Sequence, residues 1–339
     1  MRKLCLWIIL LSVLMIAFDG CKKNPLKKDI SKEALEVHIK RFDQDLFAVS
    51  PDSLQKYIPR LQKNYGEFFK IFTYKMIRIG GPKDRTFVAD LKRFVTDSIT
   101  GQIRSETATV FPDLRWLESD LTKAFRYYHS YFPEKKIPQV YSCISYFNQS
   151  IVVADGVLGI SLDKYLGRKS GFYPRLELPV YKRLNMYKEK IVSDCMYAWA
   201  MSEFAYNDSN DNLMSQMVYQ GKLMYFVDAM LPEVNDTLKI GYTAKQLNFC
   251  KKSEEGMWTF IVEQKHLFAT EYMIKRRYIK DAPFTAEFTA NSPGRVGVWI
   301  GWQIVRSYMK NNPEVTLREL MGNNNYQQIL NDSGYSPHS

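Results

Sequence analysis

The chain is poor in the residues that metal and disulfide chemistry need. Of its 339 residues, four are histidines: His38, His129, His266 and His338. No two stand at HxH or HxxxH spacing. HExxH, which sets two imidazoles one helical turn apart beside a glutamate base, is absent. A zinc site would need distant His38, His129 and His266 to converge; each is expected in the core or on the surface instead. There are five cysteines and no CxxC. Beyond Cys5 and Cys21, the remaining Cys143, Cys195 and Cys250 are odd in number and sit among apolar neighbours, so they read as free core thiols. GxSxG, GxGxxG and the P-loop are missing too, which leaves nucleophilic hydrolysis and nucleotide binding without local support. Asp194, Glu203, Asp208, Asp211 and Asp228 lie close in sequence, and paired carboxylates can do acid–base work. Asp208-Ser209-Asn210-Asp211, however, reads first as a turn and helix cap. The sequence therefore offers no catalytic, cofactor-binding or metal-ligating set.

The longest apolar run is also short. Leu4 to Phe18 spans about fifteen residues, below the roughly 20 a membrane helix needs, and follows the basic pair Arg2-Lys3. Gly20 and Cys21 then complete a lipoprotein signal pattern. We read residues 1–20 as a signal peptide and Cys21 as the lipidated mature terminus, carrying palmitate-type acyl chains. Each buried CH2 contributes roughly 0.8 kcal/mol, so a multiply acylated cysteine is a stable anchor. Residues 21–32 read as a basic tether and 33–339 as one globular domain. No acidic cluster follows Cys21, where Lys22-Lys23-Asn24 stands, and a periplasm-facing anchor is expected.

What the sequence has in quantity argues for a folded body. Aromatics make up 14% of the chain and the apolar total is 46%, too much for disorder. The net charge is +11. In an envelope compartment this favours anionic lipid or acidic protein partners, and no nucleic acid. Val37 and Ile39 begin a short strand that runs into a turn. Ser50-Pro51-Asp52 starts a helix carrying Leu54, Ile58, Leu61 and Tyr65 on one face. Further helices are expected over 86–96, 112–132, 181–206, 211–230, 243–252, 254–276 and 293–310. Residues 139–145, 151–153 and 157–162 are β-rich, with a turn at Asp155-Gly156. The fold class is α+β, mostly helical, with one small antiparallel sheet packed among helices.

The most distinctive segment is Ser292 to Met309. Gly294, Gly297 and Gly301 share one helical face, and each costs roughly 1 kcal/mol of helix propensity against alanine. They imply close approach to another element. The alternative is an open groove lined by Trp299 and Trp302, with Arg295, Tyr219 and Gln220 beside it. Arg295, Gln303 and Arg306 interrupt the run and exclude a membrane helix.

Four segments together resemble the gliding-motility lipoprotein family GldB of Bacteroidetes-type bacteria. They are Ile39-Lys40-Arg41-Phe42-Asp43-Gln44-Asp45-Leu46-Phe47; Leu158-Gly159-Ile160-Ser161-Leu162-Asp163-Lys164-Tyr165-Leu166-Gly167 with Phe172-Tyr173; Tyr219-Gln220-Gly221-Lys222-Leu223-Met224-Tyr225; and Ser292 to Met309. The resemblance implies a membrane-anchored envelope protein acting with motility and secretion machinery, through other envelope proteins and without catalysis. That family is remotely similar to zinc metalloproteases of the DUF2268 kind, which carry HExxH on one helix and Glu-Gly on the next. Here the helix through Tyr197 to Phe204 has no histidine and Gln220-Gly221 stands at the second place. The likeness implies a degenerate zincin-like body that has lost its metal, because an amide is a poor zinc ligand. A divergent peptidase-like hydrolase and a peptide- or glycan-binding lipoprotein are the alternatives.

Overall fold

The computed structural model describes residues 24–337. The expected signal peptide, Cys21 and His338 lie outside the described residues. The body is mostly helical with one four-stranded sheet. Strand β1 (Ile39–Arg41) leads directly into helix α1 (Phe42–Ala48), where a turn was expected. A short 3-10 turn over Pro51–Ser53 opens α2 (Leu54–Ile71); Ser50 makes no side-chain cap bond there. The chain continues through α3 (Phe87–Thr96), α4 (Ser98–Val110) and α5 (Arg115–Tyr131). Strands β2 (Gln139–Cys143), β3 (Ile151–Ala154) and β4 (Val157–Ser161) follow.

The sheet is mixed, which corrects the antiparallel expectation. Its order is β1-β2-β4-β3. Only β3 and β4 pair antiparallel, through the Asp155-Gly156 hairpin in which Gly156 has φ +66°. β4 inserts between β3 and β2 and runs parallel to β2, with Tyr141 opposite Gly159. β1 adds in parallel on the far side of β2. The reversal is made by residues 144–150, where Tyr146 and Phe147 both take left-handed backbone (φ 60° and 61°) and redirect the chain to the far edge. Period-two apolar spacing shows strands without showing strand direction, so the sequence pattern did not contain this.

Two expected long helices are broken. After a short α6 (Phe172–Arg175), the expected 181–206 helix is replaced by α7 (Val180–Arg183) and α8 (Ile191–Glu203). The break occurs because Met186 gives its carbonyl to Gly167 N–H and Tyr187 bridges Leu166. Helix α9 (Leu213–Met230), α10 (Asp236–Ile240) and α11 (Ala244–Lys252) come next. In place of 254–276 stand α12 (Glu254–Glu263) and α13 (Tyr272–Ile279). The intervening loop supplies the Leu267 and Ala269 carbonyls to the Met214 and Leu213 N–H groups, at 2.8 and 3.0 Å. It thereby satisfies two donors at the start of α9 that the helix itself leaves unpaired. The chain ends with α14 (Val296–Asn311), α15 (Leu317–Gly322) and α16 (Tyr326–Asp332).

Helix α9 is the axis of the molecule, buried at 16 of its 18 positions. Its closest neighbour is α14. A Cβ on Gly301 would stand 1.8 Å from the Met217 carbonyl oxygen, and one on Gly221 would stand 2.1 Å from the Gly301 oxygen. Backbone meets backbone, so neither helix can yield by rotating a side chain. Gly294 is held similarly, with its Cβ position 2.3 Å from the Ala282 oxygen. Close packing explains the glycine face. The tryptophans follow from it: Trp299 and Trp302 are 1% and 0% exposed, so they line no groove. A helix pressed against α9 along its glycines has its large rings sealed among the surrounding helices.

Gly301→Ala is expected to lower stability in urea unfolding by about 3 kcal/mol or more, since overpacking here must move backbone. Gly256→Ala is the control. Its Cβ position has nothing within 4 Å and it lies inside α12, so it should be neutral or stabilising by up to about 1 kcal/mol.

Candidate functional site

A polar cavity of about 320 Å³ opens where α8, α9, α10 and the segment before α14 meet. Asp194 and Tyr197 reach it from α8, Met224 from α9, Lys239 from α10, and Lys164 and Tyr165 from the turn after β4. Lys190 lies one helical turn before Asp194, and the two form an ion pair although Lys190 is buried. The Tyr165 hydroxyl donates to the other oxygen of Asp194 at 2.9 Å. Arg295 closes the rim in left-handed backbone (φ 62°), donating to the Ile240 carbonyl at 2.8 Å and lying 3.4 Å from Asp281. Positive φ at an arginine costs of order 1–3 kcal/mol, and such strain concentrates at clefts and clamps.

The wall toward β4 is built on Asp163, which is fully buried. Its carboxylate accepts from the N–H groups of Ser145 (3.2 Å) and Phe147 (2.6 Å). These bonds hold the two left-handed residues in place, and Lys164 adds a bond to the Phe147 carbonyl at 3.2 Å. Burial pushes the Asp163 carboxyl up to about 6, against the pull of its backbone donors.

Of the five residues expected around a groove, the structure brings only Arg295 to this cavity. Tyr219 is buried, donates to the Phe204 carbonyl at 3.0 Å, and packs against Tyr206. Gln220 is half-buried, and its side-chain oxygen accepts from the Tyr197 hydroxyl. The place where the metalloprotease likeness would put a glutamate ligand is thus an amide tied to a phenol. A tyrosine–glutamine pair does not fit a zinc ion. Among the described residues no three His, Cys, Asp or Glu side chains converge on a metal position. His129 pairs with Glu33, His266 with the Tyr278 hydroxyl at 2.9 Å, and His38 lies exposed near Glu36. Cys143, Cys195 and Cys250 are free and buried, and burial raises each thiol.

Four of the five central carboxylates are held in separate pairings, while Asp208 stands exposed and Asn212, one residue past the expected turn, caps α9. Asp211 is held by Lys275, Tyr206 and Gln216. Glu203 is held by Lys135 and Tyr128. Asp228 is 3% exposed and takes four bonds: from Lys239 at 2.7 Å, from Trp302 at 2.8 Å, and from Arg306 at 2.8 and 3.0 Å. Arg306 also grips Asp236 at 2.8 and 2.9 Å and lies 3.8 Å from the Trp302 ring centroid. Sequence reading missed this cluster and the Lys190–Asp194 pair. The i,i+4 spacing of Lys190 and Asp194 was a usable signal; the Asp228 cluster joins three helices and had none.

The fold and site together define a mostly helical α+β scaffold whose ionisable centre is largely paired within itself. The chain belongs to the GldB family: the family model described as gliding motility protein GldB matches residues 23–337. No curated protein and no solved structure matches it. Membership makes it a gliding-motility lipoprotein, associated with the membrane of the cell envelope. Among the described residues no helix is long and apolar enough to cross a membrane.

The buried Asp163 carboxyl gives a pH dependence. Its folded value, about 6, lies above the ordinary 3.8, so its contribution is fully present below 3.8 and is lost as pH rises through 6. Between pH 4 and 7, wild type should therefore lose about 2 kcal/mol relative to Asp163→Asn. Urea unfolding of both proteins across that range checks it; a constant difference would show that the carboxyl stays ionised throughout.

Proposed function

We propose that the chain is a lipid-anchored, non-catalytic component of a motility or secretion assembly that works by binding other envelope proteins. Cys21 carries the anchor after removal of residues 1–20. Residues 33–339 act as one domain, facing the periplasm.

The observation that carries the binding role is a concentration of exposed apolar side chains. Half of the large hydrophobic residues that stand exposed among the described residues fall between positions 262 and 284: Val262, Phe268, Tyr272, Met273 and Phe284. Phe268, Tyr272 and Met273 are each more than half exposed. Scattered apolar residues on a surface are ordinary; several in one segment mark an interaction site. The pairing of the central carboxylates and of Gln220 with Tyr197 supports the non-catalytic half of the reading.

The test places a photo-crosslinking residue at Phe268 or Tyr272 in the full chain, in cells, with Lys169 as a control position. The same envelope protein should be captured from both positions, absent from Lys169, and lost when Met273→Glu is added. Equal capture from all three positions, or none from Phe268 and Tyr272, contradicts the proposal.

A further inference from the structure

Residues 24–28 were expected to be part of a short basic tether, and they are fastened to the body. The Asn24 side chain donates to the Pro232 carbonyl at 2.9 Å. Tyr131 donates to the Leu26 carbonyl at 3.3 Å, and the Lys28 ammonium lies 3.5 Å from the Tyr131 ring centroid. Lys27 pairs with Glu233, which Lys123 also holds. Only three peptide steps separate Cys21 from Asn24. Even fully extended they reach about 11 Å. That is on the order of one headgroup layer, the difference between hydrocarbon thickness and whole-bilayer thickness shared between two leaflets.

A wide cleft opens at this spot. It holds about 970 Å³, and Asn24, Pro25 and Leu26 form part of its wall. Tyr225, Met309, Val315 and Leu317 give it apolar sides, Lys28 and Lys310 stand at it as cations, Arg318 does so while paired with Glu134, and Glu314 adds one carboxylate. Arg306 and Lys239 also line it, already balanced by Asp228 and Asp236. In the sequence, Lys22 and Lys23 directly follow Cys21 and add two positive charges. Cations above an apolar wall match the amphipathic boundary of a leaflet, and basic residues near a membrane surface attract anionic headgroups.

We propose that this end of the molecule rests on the bilayer and that the cleft between residues 24–28 and 309–318 takes anionic phospholipid headgroups. The orientation rests on the Cys21 anchor; the headgroup site stands on the cleft itself. Helix α9 then leads away from the membrane. Its Asp228 end borders the cleft, and its Leu213 end is bonded to the 267–269 loop. At 1.5 Å per residue its 18 residues set these ends about 26 Å apart.

The three native thiols of the body are buried, so a surface cysteine can be labelled selectively. The lipoprotein, purified from membranes with a fluorophore at Glu314→Cys or Thr270→Cys, is placed in vesicles containing headgroup-nitroxide lipid. The vesicles are phosphatidylcholine alone or phosphatidylcholine with about a third phosphatidylglycerol. The Glu314 label should lose more than half its emission and the Thr270 label little; equal or reversed quenching overturns the orientation. Quenching at Glu314 should increase with phosphatidylglycerol and fall back when Lys28→Gln and Lys310→Gln are combined. Indifference to the anionic lipid overturns the headgroup site. Mass spectrometry of the same protein reads the anchor separately. Were Cys21 unacylated, the orientation would fall with it, and co-sedimentation with the two vesicle types would decide the headgroup site alone: at least tenfold tighter binding to the anionic vesicles supports it, equal binding overturns it.

Discussion

The backbone contact between α9 and α14 at Gly221 and Gly301 governs the structure. It requires that no side chain stand between the two helices at this point. It also sets their register, so that Asp228 of one helix falls opposite Trp302 and Arg306 of the other. A buried carboxylate without partners would be strongly destabilising; with four bonds from three cationic or polar groups it becomes a fastening between α9, α10 and α14. The fastening depends on the crossing, since longer separation would leave Asp228 unsatisfied. Packing and electrostatics here are one constraint.

That constraint bears on function through what it leaves available. Asp194, Glu203, Asp211 and Asp228 are drawn into fixed pairs, and Gln220, immediately before Gly221, accepts from Tyr197. Outside this centre the molecule presents two unlike ends. At one, the chain emerges beside a basic cleft, and at the other the loop that caps α9 carries exposed aromatic and apolar side chains. With the proposed anchor at one end and the proposed partner surface at the other, a stiff helix pair suits a protein that positions a partner.

Much of this was legible in the sequence, where local physics decides. The helices at 54–71 and 87–96 follow apolar spacing, the one at 213–230 opens on the Asn212 cap, and the β-rich texture after residue 137 gives the strands. The glycine spacing announced a close approach, and three buried free thiols were foreseeable from their neighbours. Strand direction, the breaks near Asn185 and His266, and the burial of Trp299 and Trp302 were not legible. Each depends on a long-range partner: β1 on β2, Gly167 on Met186, the 267–269 carbonyls on α9. The charged segment at Lys27-Lys28 looked like tether because composition reports solvation and says nothing of a tyrosine ring about a hundred residues away.

Helices α9 and α14 thus form one rigid spine between the two ends. Native-state hydrogen exchange on the full chain tests this most directly. Amides of residues 213–230 and 296–311 should be the slowest to exchange and share one opening free energy, and Asp228→Asn should accelerate both helices together. Unequal protection of the two helices, or acceleration confined to the α9 terminus, would contradict it.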